Sequence, residues 1–197
     1  SSDVCSSDLA VAIEPNGEFT EQMQANATSR GILSNLEIVQ EDAENALRNL
    51  PAQTFDVGVC IGSTHALGGY RETLAKLTKI VKSGSYLVLG ELYWKQKPCK
   101  EYLEKFGAKE EDLLFHSENI LTAEQFGLTP LWASVASEDD WDAYEWLYSM
   151  SIENYCRSHP QDPDTLAMLE RIKSWREIFL KWGRDTLGFG LYVFRRE

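Results

Sequence analysis

Residues 55–94 read FDVGVCIGSTHALGGYRETLAKLTKIVKSGSYLVLGELYW, and this stretch decides the fold. The apolar run Val57-Gly58-Val59-Cys60-Ile61 predicts a buried strand. It ends in Gly62-Ser63-Thr64-His65-Ala66-Leu67-Gly68-Gly69, a loop with three glycines. Leu74, Leu77, Ile80 and Val81 follow at helical spacing, and Ser83-Gly84-Ser85 breaks the helix. A second apolar run, Tyr86-Leu87-Val88-Leu89, ends at Gly90-Glu91. Strand, loop, helix, turn, strand is a βαβ unit, whose two strands are expected to be parallel and buried on both faces. In open sheets of this kind ligands sit beyond the carboxyl ends of the strands. Residues 62–69 and 91–94 are therefore the first candidates for a site.

Upstream, Ala10 to Ile13 is a short apolar strand ending at Glu14, followed by a Pro15-Asn16-Gly17 turn and a helix over 19–29 closed by Arg30-Gly31. Leu36 to Val39 is the next strand, and Ala43 to Leu50 is a short helix stopped by Pro51. The first half thus alternates strand and helix with short connections, which predicts a parallel sheet with helices on both faces. Downstream the pattern changes. Short helices are expected at 99–106, at 110–115 and at 121–126, the last capped by Thr122. A strand is expected at 132–136, then long helices at 141–157 and 164–183, then a final strand at 188–194. No internal repeat or linker interrupts this order, so residues 10–197 read as one domain. Ser1 to Leu9, SSDVCSSDL, bears no relation to that register. VCSSDL resembles the translated tail of a sequencing adapter, so 1–9 is expected to be non-native. It lacks the basic start and apolar core of a signal peptide.

A chain of 197 residues with a net charge of −12 disfavours nucleic acid or an anionic membrane as the main partner. No apolar stretch approaches the roughly 20 residues of a membrane span. Four scattered cysteines and three scattered histidines form no metal-ligand spacing and no disulfide framework, which fits a reducing cytoplasm.

Three acids follow strand ends: Glu14, Asp42 and Glu91. A carboxylate only accepts hydrogen bonds and is bidentate, so Glu14 suits two ribose hydroxyls; acids are also common wherever a strand meets solvent. Asp42 suits an exocyclic amine, a role Glu41 can equally take. Glu91 reads as a ligand-facing group or as a loop anchor. Gly62 lets a ligand approach the backbone. His65 reads as a base or substrate contact, or as a loop histidine bonded to a carbonyl; His116 and His159 read as surface. Trp141, Tyr144, Tyr148, Ile152 and Tyr155 share one helical face, and Trp175, Phe179 and Trp182 another. Packing of the two helices is one reading and a lid over an apolar substrate the other. Glu145 and Trp146, off the first stripe, and Trp94 are the lid candidates.

The strings AIEPN, QEDAENAL, FDVGVCIGSTHALGG, VKSGSYLVLGELYW, EDDWDAYEWLY and KWGRDTLGFGLYVFRR, spread from Ala10 to Arg196, resemble a class I S-adenosylmethionine-dependent methyltransferase. The group most resembled is an uncharacterised bacterial one of small-molecule type. The resemblance implies a doubly wound, mostly parallel sheet ended by an antiparallel pair, 132–136 with 190–194. It implies S-adenosyl-L-methionine as cofactor and a small-molecule acceptor. Glu14 would match the ribose-binding acid, Asp42 and Ala43 the adenine neighbourhood, and Cys60, Ile61 and Gly62 the methionine part. Ser63 and His65 would face the transferring methyl, with His65 the candidate base. The family's first strand and glycine-rich loop have no counterpart before Ala10. A missing middle strand leaves unpaired backbone groups at roughly 1–3 kcal/mol each, against a native stability of about 5–15 kcal/mol. The chain is therefore expected to be an impaired fragment. The rival readings are a nicotinamide-dependent oxidoreductase, which also binds ribose with an acid, and a non-catalytic nucleotide-binding protein. No oligomeric state follows from the sequence.

Overall fold

A computed structural model describes residues 9–197; of the stretch expected to be non-native, only Leu9 falls among them. The alternating first half is built as the apolar runs require: β1 (Ala10–Ile13), α1 (Gly17–Ser29), β2 (Leu36–Val39), α2 (Ala43–Asn49), β3 (Phe55–Ile61), α3 (Tyr70–Ile80) and β4 (Val81–Trp94). Asn16 caps α1 by accepting from Glu18 N–H, and Asp42 caps α2 by accepting from Glu44 and Asn45 N–H. The second half holds α4 (Lys100–Phe106), α5 (His116–Gln125), β5 (Leu128–Val135), α6 (Glu138–Ser158), α7 (Thr165–Ile178) and β6 (Leu187–Arg196). Between α7 and β6 the helix passes through a π-helical stretch, Phe179–Gly183, and one α turn, Arg184–Thr186.

The strands form a mixed arrangement, with β3-β4-β6-β5 as one sheet and β1-β2 as another. β1 and β2 are parallel, β3 and β4 are parallel, and β6 runs antiparallel to β4 and β5. The expected antiparallel pair is present, with Trp132 opposite Val193 and Ser134 opposite Leu191. Among the described residues β1 and β3 do not pair with each other, and each has a strand neighbour on one side only. The strands thus fall in two sheets where one mostly parallel sheet lacking a middle strand was expected. The expectation of a β3 buried on both faces is corrected: Val57, Val59 and Ile61 are 48%, 60% and 50% exposed.

β4 is longer than its apolar run, because Ser83-Gly84-Ser85 passes through as an irregularity in the pairing with β3 rather than as a break. Its alternate side chains serve two layers. Leu87 and Leu89 join Tyr192 and Phe194 of β6 beneath α3 and α5. Leu92 and Trp94 join Leu187 beneath α4, with Tyr102, Ile178 and Trp182. Each side chain buried this way contributes about 1.5–3 kcal/mol. The helix expected at 121–126 starts five residues earlier, at His116: Glu118 returns its carboxylate to the Phe115 N–H, and Thr122 is an interior, buried residue rather than the cap. The helix expected at 110–115 is a single 3-10 turn, Glu110–Asp112. Among the described residues no helix is long and apolar enough to cross a membrane.

Candidate functional site

Two cavities meet at the carboxyl end of β3. The first, about 460 Å³, lies between β1 and β3 and is lined by Ile13, Glu14, Ala43, Cys60, Ser63 and His65 among others. Glu14 stands at the end of β1, where its backbone N–H still donates to Val39 O at 3.1 Å. Its Oε1 accepts from Asn16 N–H at 2.9 Å, which fixes the carboxylate at the cavity wall. Asp42 is outside the lining: its Oδ1 accepts from Glu44 N–H at 2.9 Å and Asn45 N–H at 3.3 Å, so the carboxylate is committed to capping α2. Its neighbour Ala43 does line the cavity. Burial pushes the Cys60 thiol up.

The loop after β3 turns on Gly62, whose φ of +69° lies in the left-handed region that favours glycine. Its N–H donates to Gly90 O at 2.9 Å, extending the ladder with β4. Thr64–Leu67 then forms a 3-10 turn with His65 exposed on the first cavity. Beneath it, Glu91 is 7% exposed and lines neither cavity. Its Oε2 accepts from Thr64 Oγ at 2.5 Å and its Oε1 from Leu92 N–H at 2.9 Å. Of its two readings the structure shows the anchor, tying the His65 turn to β4. Burial pushes this carboxyl up, and the Thr64 hydrogen bond opposes the shift.

The second cavity, about 580 Å³, shares Ile61 with the first and continues through Gly62 to Leu92, Phe189, α6 and α7. Gly90 keeps the partition thin: a Cβ there would stand 2.7 Å from both Ile61 Cγ2 and Phe189 Cζ. Ile61 and Phe189 thus both lie over Gly90 in space that only a residue without a side chain leaves open.

α6 faces this cavity differently from its aromatic stripe. Its buried residues are Glu145, Ser149 and Cys156, whereas Tyr144, Tyr148 and Tyr155 are 66%, 42% and 40% exposed. The packing reading of the stripe is corrected for these three tyrosines, whereas Trp141 packs beside Trp94, Tyr102 and Leu187. Polar partners on α7 set the rotation: Trp175 Nε1 donates to Glu145 Oε2 at 2.5 Å, and Arg176 donates to Ser149 Oγ at 2.9 Å and Glu153 Oε1 at 2.7 Å. Glu145 thus reaches the cavity from the buried face, together with Trp141, Tyr144 and Trp175. Burial pushes its carboxyl up, opposed by the Trp175 hydrogen bond.

Two lid candidates are corrected. Trp94 is 1% exposed, packed on Tyr102 and Phe106, with its indole N–H on Glu110 O at 2.9 Å; it is core. Trp146 is 47% exposed on the outer face of α6 and lines neither cavity. His116, expected at the surface, is half-buried, its Nδ1 lying 3.0 Å from the Tyr192 hydroxyl and its ring stacked on Tyr192. Tyr192 also accepts from Asn119 Nδ2 at 3.2 Å, and burial pushes its phenol up to about 12. Sequence reasoning missed this cluster, as it missed Phe106 and Phe189 in the second cavity. Phe189 carried one signal, a large residue between two glycines at a strand end.

A methyltransferase-domain family model matches residues 5–89. Over that part, which runs through β1, β2 and β3 into β4, the chain is similar to a methyltransferase domain. It is related to YjhP of Escherichia coli, an uncharacterised protein, at 21% identity over 183 residues, covering 92% of this chain and 73% of that one. The fold matches a SAM-dependent methyltransferase from Geobacter sulfurreducens, solved in complex with S-adenosyl-L-homocysteine, with TM-score 0.84 and 21% identity, covering 96% of this chain and 76% of that one. It also matches one from Thiobacillus denitrificans with the same ligand, at TM-score 0.83 and 21% identity, covering 96% and 76%.

Proposed function

We propose that the protein transfers a methyl group from S-adenosyl-L-methionine to a small-molecule acceptor. The observation that carries this reading is the meeting of a carboxylate-bearing cavity and an aromatic one at the partition Ile61-Gly62. The first cavity fits the cofactor: its volume lies in the usual range for small-molecule sites, and Glu14 offers a fixed carboxylate for a diol. Glu14 would hold the ribose hydroxyls, Ala43 would lie against the adenine, and Cys60, Ile61 and Gly62 would lie along the methionine portion. The bound cofactor supplies an electrophilic methyl group on a sulfonium.

This chain's own residues do the rest by positioning. Ile61, which lines both cavities, and Phe189 border the junction at which acceptor and cofactor would meet, and their apolar side chains keep water from it. Ser63 and His65 stand at the cofactor side of the partition, where His65 can take a proton from the acceptor. Glu91 holds that turn through Thr64. The proposal extends to the facing edges of β1 and β3: one more parallel strand between Val11–Ile13 and Val59–Ile61 would satisfy their backbone groups. Without it the chain binds cofactor more weakly and turns over poorly.

The test is calorimetric titration of S-adenosyl-L-homocysteine, with NAD as comparison, on the chain as given, on a chain carrying an added strand at that edge, and on Glu14→Ala. Binding is expected to be strongest with the added strand and to fall by roughly tenfold or more in Glu14→Ala, as for a lost charged hydrogen bond. A well-folded strand-completed protein that takes NAD, or neither ligand, refutes the reading.

A further inference from the structure

The second cavity has a composition that selects its ligand. Phe106, Trp141, Tyr144, Trp175 and Phe189 present aromatic surface to it, and among the described residues no lysine, arginine or histidine lines it. Two cations of the neighbouring helical turns are held elsewhere: Arg176 by Ser149 and Glu153, and Arg184 by Asp142 and Glu138. The acidic groups are Asp140 and Glu145. Asp140 Oδ2 accepts from both the backbone N–H and the hydroxyl of Ser137, so this carboxylate is engaged in capping α6. Glu145 is different. It is 7% exposed, Trp175 holds its Oε2, and no hydrogen bond reaches its Oε1 among the described residues. Beside it the indole N–H of Trp141 is buried with no partner.

We infer that this cavity takes an apolar amine, held with its nitrogen at Glu145 Oε1 and its hydrocarbon portion among the aromatic rings. Aromatic faces and a carboxylate both attract a cation, and both disfavour an anion. A phosphate or carboxylate ligand would meet two acids and no compensating base. A polyhydroxylated ligand would find apolar walls and few partners. An alkylammonium brings the N–H donors that Oε1 lacks. The ammonium proton can pass to Oε1, and burial of the carboxyl acts in favour of that transfer. The nitrogen then keeps its electron pair, and an ion pair becomes a neutral pair with no atom lost. An amine in that state is a nucleophile. That last point rests on the methyl-transfer reading; the binding does not.

The test uses the full chain and three probes of one shape: phenylbutylamine, phenylbutanol and phenylbutyrate. Binding is followed by calorimetry and by quenching of tryptophan fluorescence, since Trp141 and Trp175 line the cavity. The amine is expected to bind roughly tenfold tighter than the alcohol, with the carboxylate weakest. Glu145→Gln is expected to bring amine and alcohol level, and Phe189→Ala to weaken all three alike. An alcohol or carboxylate that binds as well as the amine overturns the inference, as does an amine preference that survives in Glu145→Gln. If Glu145→Gln does not fold, the order of the probes on the unaltered protein decides. S-adenosyl-L-homocysteine is titrated into the same samples. Its binding without an amine preference refutes this inference alone, and an amine preference without its binding refutes methyl transfer alone.

Discussion

The β4–β6 part of the molecule and the β1–β2 part start from similar apolar runs but end differently. Leu87, Leu89, Tyr192 and Phe194 are fully buried, whereas no residue of β1 or β2 is. β4 has a strand on each side and helices on both faces; among the described residues β1 has one strand neighbour. An apolar run specifies a strand, and its neighbours decide what the strand contributes to stability. Glu14, the proposed ribose ligand, thus stands on the less supported part, and the aromatic cavity abuts the more supported one.

The widest separation between the two parts is expected in core truncations. Phe194→Ala should cost about 3–5 kcal/mol, and Val11→Ala, on half-buried β1, about 1 kcal/mol or less; urea unfolding measures both. Equal costs would break the contrast. Amide exchange should sharpen it, with β1 and β2 exchanging faster than β4 and β6 by roughly two orders of magnitude. Next, Gly90→Ala forces Ile61 and Phe189 apart and should cost about 1–3 kcal/mol, with weaker binding in both cavities at once by calorimetry.

The third expectation concerns pH. Glu91 and Glu145 have carboxyls raised above 4.5 by burial, so the folded state holds protons that the unfolded chain releases first. Their contribution is complete below 4.5 and is lost as pH rises through the folded values. The urea midpoint should therefore decline from that pH upward, and less steeply in Glu91→Gln. An unchanged slope in the variant would remove Glu91 from the account. The smallest effect belongs to Lys76, which links α3 to α2 through Glu44 and to the loop through Leu67 O at 2.7 Å. Lys76→Met should cost only about 0.2–1 kcal/mol, because the pair is partly exposed.

The sequence made the βαβ unit legible because its apolar runs and glycine breaks agree. Glu14 and Ile61 at the first cavity were legible for the same reason: strand ends mark where ligands sit. The rotation of α6 was not, since Trp175 and Arg176 set it from 30 and 27 residues away. Hydrophobic periodicity therefore pointed to Tyr148 and Tyr155, while polar partners turned Glu145 and Ser149 inward. His116 escaped likewise, its partner Tyr192 lying 76 residues downstream. Trp94 looked like a lid because it follows a strand end, yet β4 runs on to include it and buries it.

The π-helical stretch Phe179–Gly183 holds one residue more than an α turn needs. It works as a slack link in the chain. Removing a residue there should restore ordinary helix while leaving α7 in place and β6 in register. The same deletion inside β6 would turn its following side chains to the opposite face. Length change between the last helix and the last strand is thus absorbed at one turn, which makes residues 179–183 the place where this part of the chain can shorten.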